Sequence, residues 1–152
     1  MLEVQRPEDM EQYVGKDLGA SSWILIDQER INIFAEVTGD DNWIHVDVER
    51  AKRELPGGKT IAHGLLTFSL VPYMGGQICK ILERSRGINY GSNKVRFTAP
   101  VPCGARIRLH RTLEKYEAIE GGVRLTFGNR MEMEGSEKPV LVAETISVIY
   151  GK

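Results

Sequence analysis

Asp40 and His45 stand five positions apart in the polar stretch Asp40-Asp41-Asn42-Trp43-Ile44-His45, and eighteen positions further on His63-Gly64 opens a long apolar run. A carboxylate and an imidazole within reach of each other can hold one water and move its proton. A backbone amide at the start of a helix can hold the oxygen of a polarised carbonyl, and glycine there lets a ligand approach the backbone closely. Together these groups supply what adding water to, or removing it from, an activated acyl chain requires. Each has a plainer reading. Asp40 followed by Asn42 also fits an Asx-type turn closing a helix. His63 reads as a structural residue that bonds the loop beside Gly64, and Asn42 as one that shapes the loop. His45, Asp47 and His63 do not make an obvious set of three strong metal ligands, so no metal is expected.

These residues need elements to position them. Ser21 to Ile26 reads as a short strand. Asp27 fits a helix N-cap, with Ile31, Phe34, Ala35 and Thr38 at helical spacing until Gly39 ends the helix. Asp40 to Val46 reads as a loop, Asp47 as the cap of a short helix through Arg53, and Pro56-Gly57-Gly58 as a connection. A second long helix is expected from Gly64 to about Leu82. Its first half is apolar on nearly all sides, and Pro72 should kink it. From residue 88 the period changes to two. Ile107, Leu109 and Leu113 alternate with Arg106, Arg108, His110 and Thr112, and Val123, Leu125, Phe127, Met131 and Met133 share one side of a long strand. A last strand is expected from Pro139 to Tyr150. Helices first and antiparallel strands afterwards predict an α+β fold, with a sheet wrapped over the apolar helix.

Composition narrows the field. The 152 residues suit one domain over 1–152, and 41% hydrophobic with 27% charged residues is ordinary for a globular chain. Twenty basic residues are spread against twenty-one acidic ones with no basic block, which argues against nucleic acid as a partner. Met1 to Lys16 lacks the apolar centre of a signal peptide, and the run from Leu65 to Met74 is too short to span a bilayer, so no membrane is expected. Cys79 and Cys103 show no metal or redox spacing and read as free thiols, which makes the cytoplasm the expected compartment.

Three separate words, in order, carry a family resemblance. They are Phe34-Ala35 with Thr38-Gly39-Asp40, Asn42, His45 and Asp47; then Ile61-Ala62-His63-Gly64; then Val95-Arg96-Phe97 with Pro100-Val101. The chain resembles, from about Ile24 to Tyr150, the MaoC-type dehydratases, the (R)-specific enoyl-CoA hydratase family of single-hotdog folds. Most members have proline where this chain has Trp43. That departure, with Asn89-Tyr90-Gly91 and Asn93-Lys94, resembles the subgroup related to nodulation protein N. The resemblance implies Asp40 and His45 as the catalytic pair and the Gly64 amide as the thioester-oxygen donor. Asn42, His63, Asn93 and Arg96 are the expected substrate-binding residues around them, although Arg96 also reads as a solvated strand charge. The resemblance further implies an acyl-CoA or acyl-carrier substrate, no cofactor beyond the coenzyme A of the substrate, and a homodimer. A hotdog thioesterase using the same amide and a non-catalytic acyl-binding or signalling protein are the rival readings.

Overall fold

The computed structural model describes all 152 residues. Strand β1 (Leu2–Val4) is followed by a 3-10 segment (Pro7–Tyr13), strand β2 (Asp17–Ala20) and strand β3 (Ile24–Leu25). Helix α1 (Gln28–Thr38) begins where the Asp27 side chain accepts from the Arg30 amide at 2.9 Å. It ends at Gly39, whose φ of 77° suits glycine in a left-handed cap and whose amide donates to Ala35. That turn delivers Asp40. The expected loop from Asp40 to Val46 contains one helical turn, α2 (Trp43–Val46), because the Asn42 side chain accepts from the Ile44 amide at 3.3 Å and caps it. Asp47 caps α3 (Val48–Glu54) through the Arg50 amide, as its position predicts.

The long helix expected from Gly64 to Leu82 is two. Helix α4 (Gly64–Ser69) and helix α5 (Val71–Ile78) meet at Leu70, whose backbone keeps helical dihedrals (φ −80°, ψ −14°). Pro72 occupies the first turn of α5, where its missing N–H costs least. The chain then leaves the helix four residues early, because β4 (Cys79–Ile81) pairs in parallel with β1.

The remaining strands are β5 (Arg84–Arg96), β6 (Arg106–Ile119), β7 (Gly122–Met133) and β8 (Leu141–Gly151). They form one antiparallel sheet in the order β2-β6-β7-β8-β5, with β3 extending the pairing of β6. Its inner face wraps over α4 and α5, giving the α+β hotdog arrangement the sequence predicts. Ile107, Leu109, Met131 and Leu141 pack there against Ile31, Leu66, Val71, Met74 and Ile78. Further along the same face, Leu113, Val123, Leu125 and Phe127 pack against Met10, Val4 and Ile81. Between the two clusters the cross-strand partners on this face are Arg111 and Asn129, a polar pair in an otherwise apolar row. Strand β5 is bonded on one side only, to β8, and forms an edge of the sheet.

Candidate active site

Segment 60–63 runs between α3 and α4 and fixes the imidazoles. The Ala62 amide donates to Val101 at 2.8 Å and the Ile61 amide to Ile44 at 3.1 Å, which ties the segment to the strand connection on one side and to α2 on the other. His45, buried at the end of α2, hydrogen-bonds through Nδ1 to the Ile61 carbonyl at 2.7 Å. A carbonyl only accepts, so Nδ1 carries the proton and Nε2 keeps its lone pair. The backbone carbonyl of His45 is held in turn by Gln28 Nε2 at 2.8 Å, and Thr60 Oγ1 donates to the other end of that amide.

His63, 1% exposed, donates from Nε2 to the backbone carbonyl of Asp40 at 2.8 Å. Its ring stacks on His45 with centroids 3.8 Å apart and packs against Phe34 at 4.9 Å. The loop carrying Asp40 is therefore pinned to the start of α4 by His63, the structural role read from the sequence. His63 Nδ1 is left buried without a partner. Ligand atoms of Asp40, His45 and His63 all lie within 4.8 Å of one another, with Asp40 exposed and both histidines buried. Asp47 takes no part in this cluster, being used as the cap of α3.

Gly64 is the first residue of α4, a position whose amide has no acceptor inside the helix, and no loop hydrogen bond uses it. The Phe97 ring covers the Gly64 Cα so closely that an added Cβ would lie 2.7 Å from its Cγ. Phe97 itself is 47% exposed and sits just beyond β5. The sequence words include Phe97, but nothing in strand alternation foretells that it leaves the strand to lie on Gly64. Gln28 is likewise missed, since its role depends on α1 lying beside α2.

The other expected substrate-side residues make their bonds outside the cluster. Asn42 is spent on capping α2. Asn93 bonds Glu144 across the β5–β8 pairing at 3.0 Å, and Arg96, the last residue of β5, bonds its neighbour's carbonyl at 2.7 Å with its side chain exposed. Neither enters the Asp40/His45/His63 cluster by any hydrogen bond.

No helix is long and apolar enough to cross a membrane. Residues 9–132 match the family described as MaoC like domain. The chain is 46% identical over 139 residues to 3-hydroxyacyl-thioester dehydratase Z of Mycobacterium tuberculosis, covering 91% of each. It is 41% identical over 142 residues to nodulation protein N of Rhizobium meliloti, covering 92% of this chain and 88% of the relative. Its fold is similar to that of the unliganded R-hydratase PhaJ1 of Pseudomonas aeruginosa, with a TM-score of 0.75 at 22% identity over 91% of this chain and 83% of the other. With matches of this extent, the chain belongs to the MaoC-like domain family.

Proposed function

We propose that the protein is an (R)-specific enoyl-thioester hydratase, working equally as a 3-hydroxyacyl-thioester dehydratase. The single observation that carries this reading is His45 held with Nδ1 protonated and Nε2 free, in a cluster with the Asp40 carboxylate next to the start of α4. His45 Nε2 takes a proton from water while Asp40 holds the water's other hydrogen, and the oxygen bonds to the β-carbon. Electron density moves to the thioester oxygen, where the Gly64 N–H accommodates it. The α-carbon then receives the proton back from the His45 imidazolium, which restores the starting state. Dehydration is the reverse. A relative 46% identical over 91% of the chain and named a 3-hydroxyacyl-thioester dehydratase supports the reaction class.

Coenzyme A, or the pantetheine arm of a carrier protein, enters as part of the substrate, and the reaction as written needs no cofactor or metal. Arg96, exposed at the end of β5 one residue before the Phe97 that lies on Gly64, suits the coenzyme A phosphates. Asn42 supports the site by capping α2, the turn that carries His45. The protein works as a homodimer in this reading.

Incubation with crotonyl-CoA tests the proposal. Loss of the conjugated-thioester absorbance, undiminished by a chelator, is expected. Release of free thiol would instead mean a thioesterase, no change would mean a binder, and a chelator-sensitive rate restored by a divalent metal would overturn the metal-free scheme.

A further inference from the structure

A cavity of about 650 Å³ lies between α4–α5 and the inner face of β5 and β8. Its lining contains two arginines, Arg84 and Arg111, and no carboxylate, with Ser92, Thr145 and Ser147 among the polar groups. Arg111 is the unusual member. Its strand neighbours on this face are apolar, and its guanidinium rests on the Phe127 ring at 4.4 Å. Nε donates to Asn129 Oδ1 at 2.9 Å. Asn129 is locked in turn by its own bonds to Phe127, Ala143 and Thr145. On its other side the guanidinium lies over the Cα of Gly75, where any side chain would collide with it. A glycine inside a buried helix costs stability relative to alanine, and this seat accounts for it.

The guanidinium is thus built into place, yet it forms no ion pair, and neither Nη nitrogen has a protein acceptor. A half-buried guanidinium held in place without a counter-charge is ready to take an anionic partner from the cavity. Burial pushes Arg111 down to about 10. The same helix pair connects this arginine to the candidate reacting centre. Gly64, Phe68, Val71 and Gly75 follow one another at helical spacing on one stripe, through a junction at Leu70 that keeps helical dihedrals. Gly75 lies about 16 Å beyond Gly64 along that stripe. Phe68 and Val71 line the cavity between them.

We propose that Arg111 is a specificity-determining residue that receives a carboxylate at the far end of the acyl chain. The preferred substrates are then thioesters of chains ending in a carboxylate rather than a methyl group. This rests on the thioester reading above, with the thioester at Gly64 and the chain running down the stripe into the cavity. Bidentate pairing of guanidinium with carboxylate supplies the discrimination.

The test compares two trans-2-enoyl-CoA substrates of equal length, long enough to span the ~16 Å, one ending in methyl and one in carboxylate. The full-length protein should favour the carboxylate by at least about tenfold in kcat/KM, the effect of a charge-assisted hydrogen bond. Arg111→Met should abolish that ratio mainly through KM, and Arg111→Lys should retain part of it. Gly75→Ala, which keeps the charge but drives a methyl group into the guanidinium, should lower the ratio without removing the arginine. A wild-type ratio of one or less, or a ratio unmoved by Arg111→Met, overturns the inference. So does an Arg111→Met effect confined to subunit assembly, which would mean that a second copy neutralises the arginine. Calorimetry with the two corresponding saturated thioesters separates this inference from the hydratase reading. Tighter binding of the carboxylate form without any hydration would sink only the hydratase. Hydration without discrimination would sink only the role of Arg111.

Discussion

The imidazoles of His45 and His63 stack with centroids 3.8 Å apart and planes 24° apart, and each ring donates to a backbone carbonyl from a different nitrogen. One stacked pair therefore divides two tasks. His63 holds the Asp40 loop, and His45 is left with a free Nε2 beside the carboxylate. Asp40 is fixed through its backbone carbonyl, so its carboxylate stays available.

Asp40→Asn and His45→Gln are expected to lower crotonyl-CoA hydration by roughly 10²–10⁴-fold each, the range for a positioned acid or base. Neither change removes the Asp40 carbonyl that receives His63, and both nearly preserve volume, so folding should survive. Wild-type turnover in either variant would remove that residue from the dyad.

His63→Phe keeps an aromatic ring in the stack but deletes the hydrogen bond to Asp40. The loss of that bond should cost ~1 kcal/mol of stability. With the Asp40 loop released, kcat should fall by about an order of magnitude while KM changes little. Thermal denaturation together with steady-state kinetics checks both. A normal kcat with lowered stability would leave His63 a purely structural residue.

The Phe97 ring on Gly64 separates crowding from donor loss. Gly64→Ala forces Phe97 aside, which its half-exposed position permits, so pairing it with Phe97→Leu should recover much of any lost activity. Gly64→Pro deletes the N–H, and its loss of about 10²–10³ in rate should persist in the same Phe97→Leu background. Full activity of a folded Gly64→Pro protein would place the oxyanion donor elsewhere.

Local rules carried much of this site into the sequence. Asp27, Gly39 and Asp47 are caps that act over three or four residues, and the loop they bracket could be read from them. The pieces that were not legible depend on distant partners. The early end of the second helix at Ile78 requires β1, which lies at the other end of the chain. The turn Trp43–Val46 required Asn42 to be recognised as a cap as well as a loop residue. Arg111 and Asn129 did leave a signal, as the two gaps in otherwise regular apolar alternation on β6 and β7. A gap alone could not say that the two residues face each other inside the sheet.

Glu132 predicts a pH effect away from the site. Hydrogen bonds first from Arg108, at 2.7 Å, and then from His110 lower its carboxyl from an ordinary 4.5 to about 2. A depressed folded-state value means that the unfolded chain binds this proton more readily. The stabilisation is therefore complete above about pH 4.5 and is lost as the pH falls towards 2. Glu132→Gln should be less stable than wild type near neutral pH, with the gap closing through that window. The exposure of the pair keeps the effect small. Melting curves of both proteins between pH 7 and 2 measure it, and a gap that stays constant across the window would contradict the ion-pair origin.

Strand β5 predicts the assembly. Its thirteen residues are bonded on one side only, and Ile88 and Tyr90 on it are exposed at 48% and 60%. An edge of that length with apolar side chains is a template for another strand unless something covers it. A second copy related by a two-fold axis can pair β5 with β5 and continue the sheet, and both copies then gain the same contacts. The cavity between α5 and β5 opens beside this edge, so the partner would also close part of its wall. Sedimentation of the full chain at assay concentrations should give about twice 17.1 kDa. Ile88→Lys, which places a charge on the edge, should shift the protein towards monomer and lower activity on long acyl chains more than on crotonyl-CoA. A monomeric wild-type protein whose specific activity is constant on dilution would exclude this arrangement.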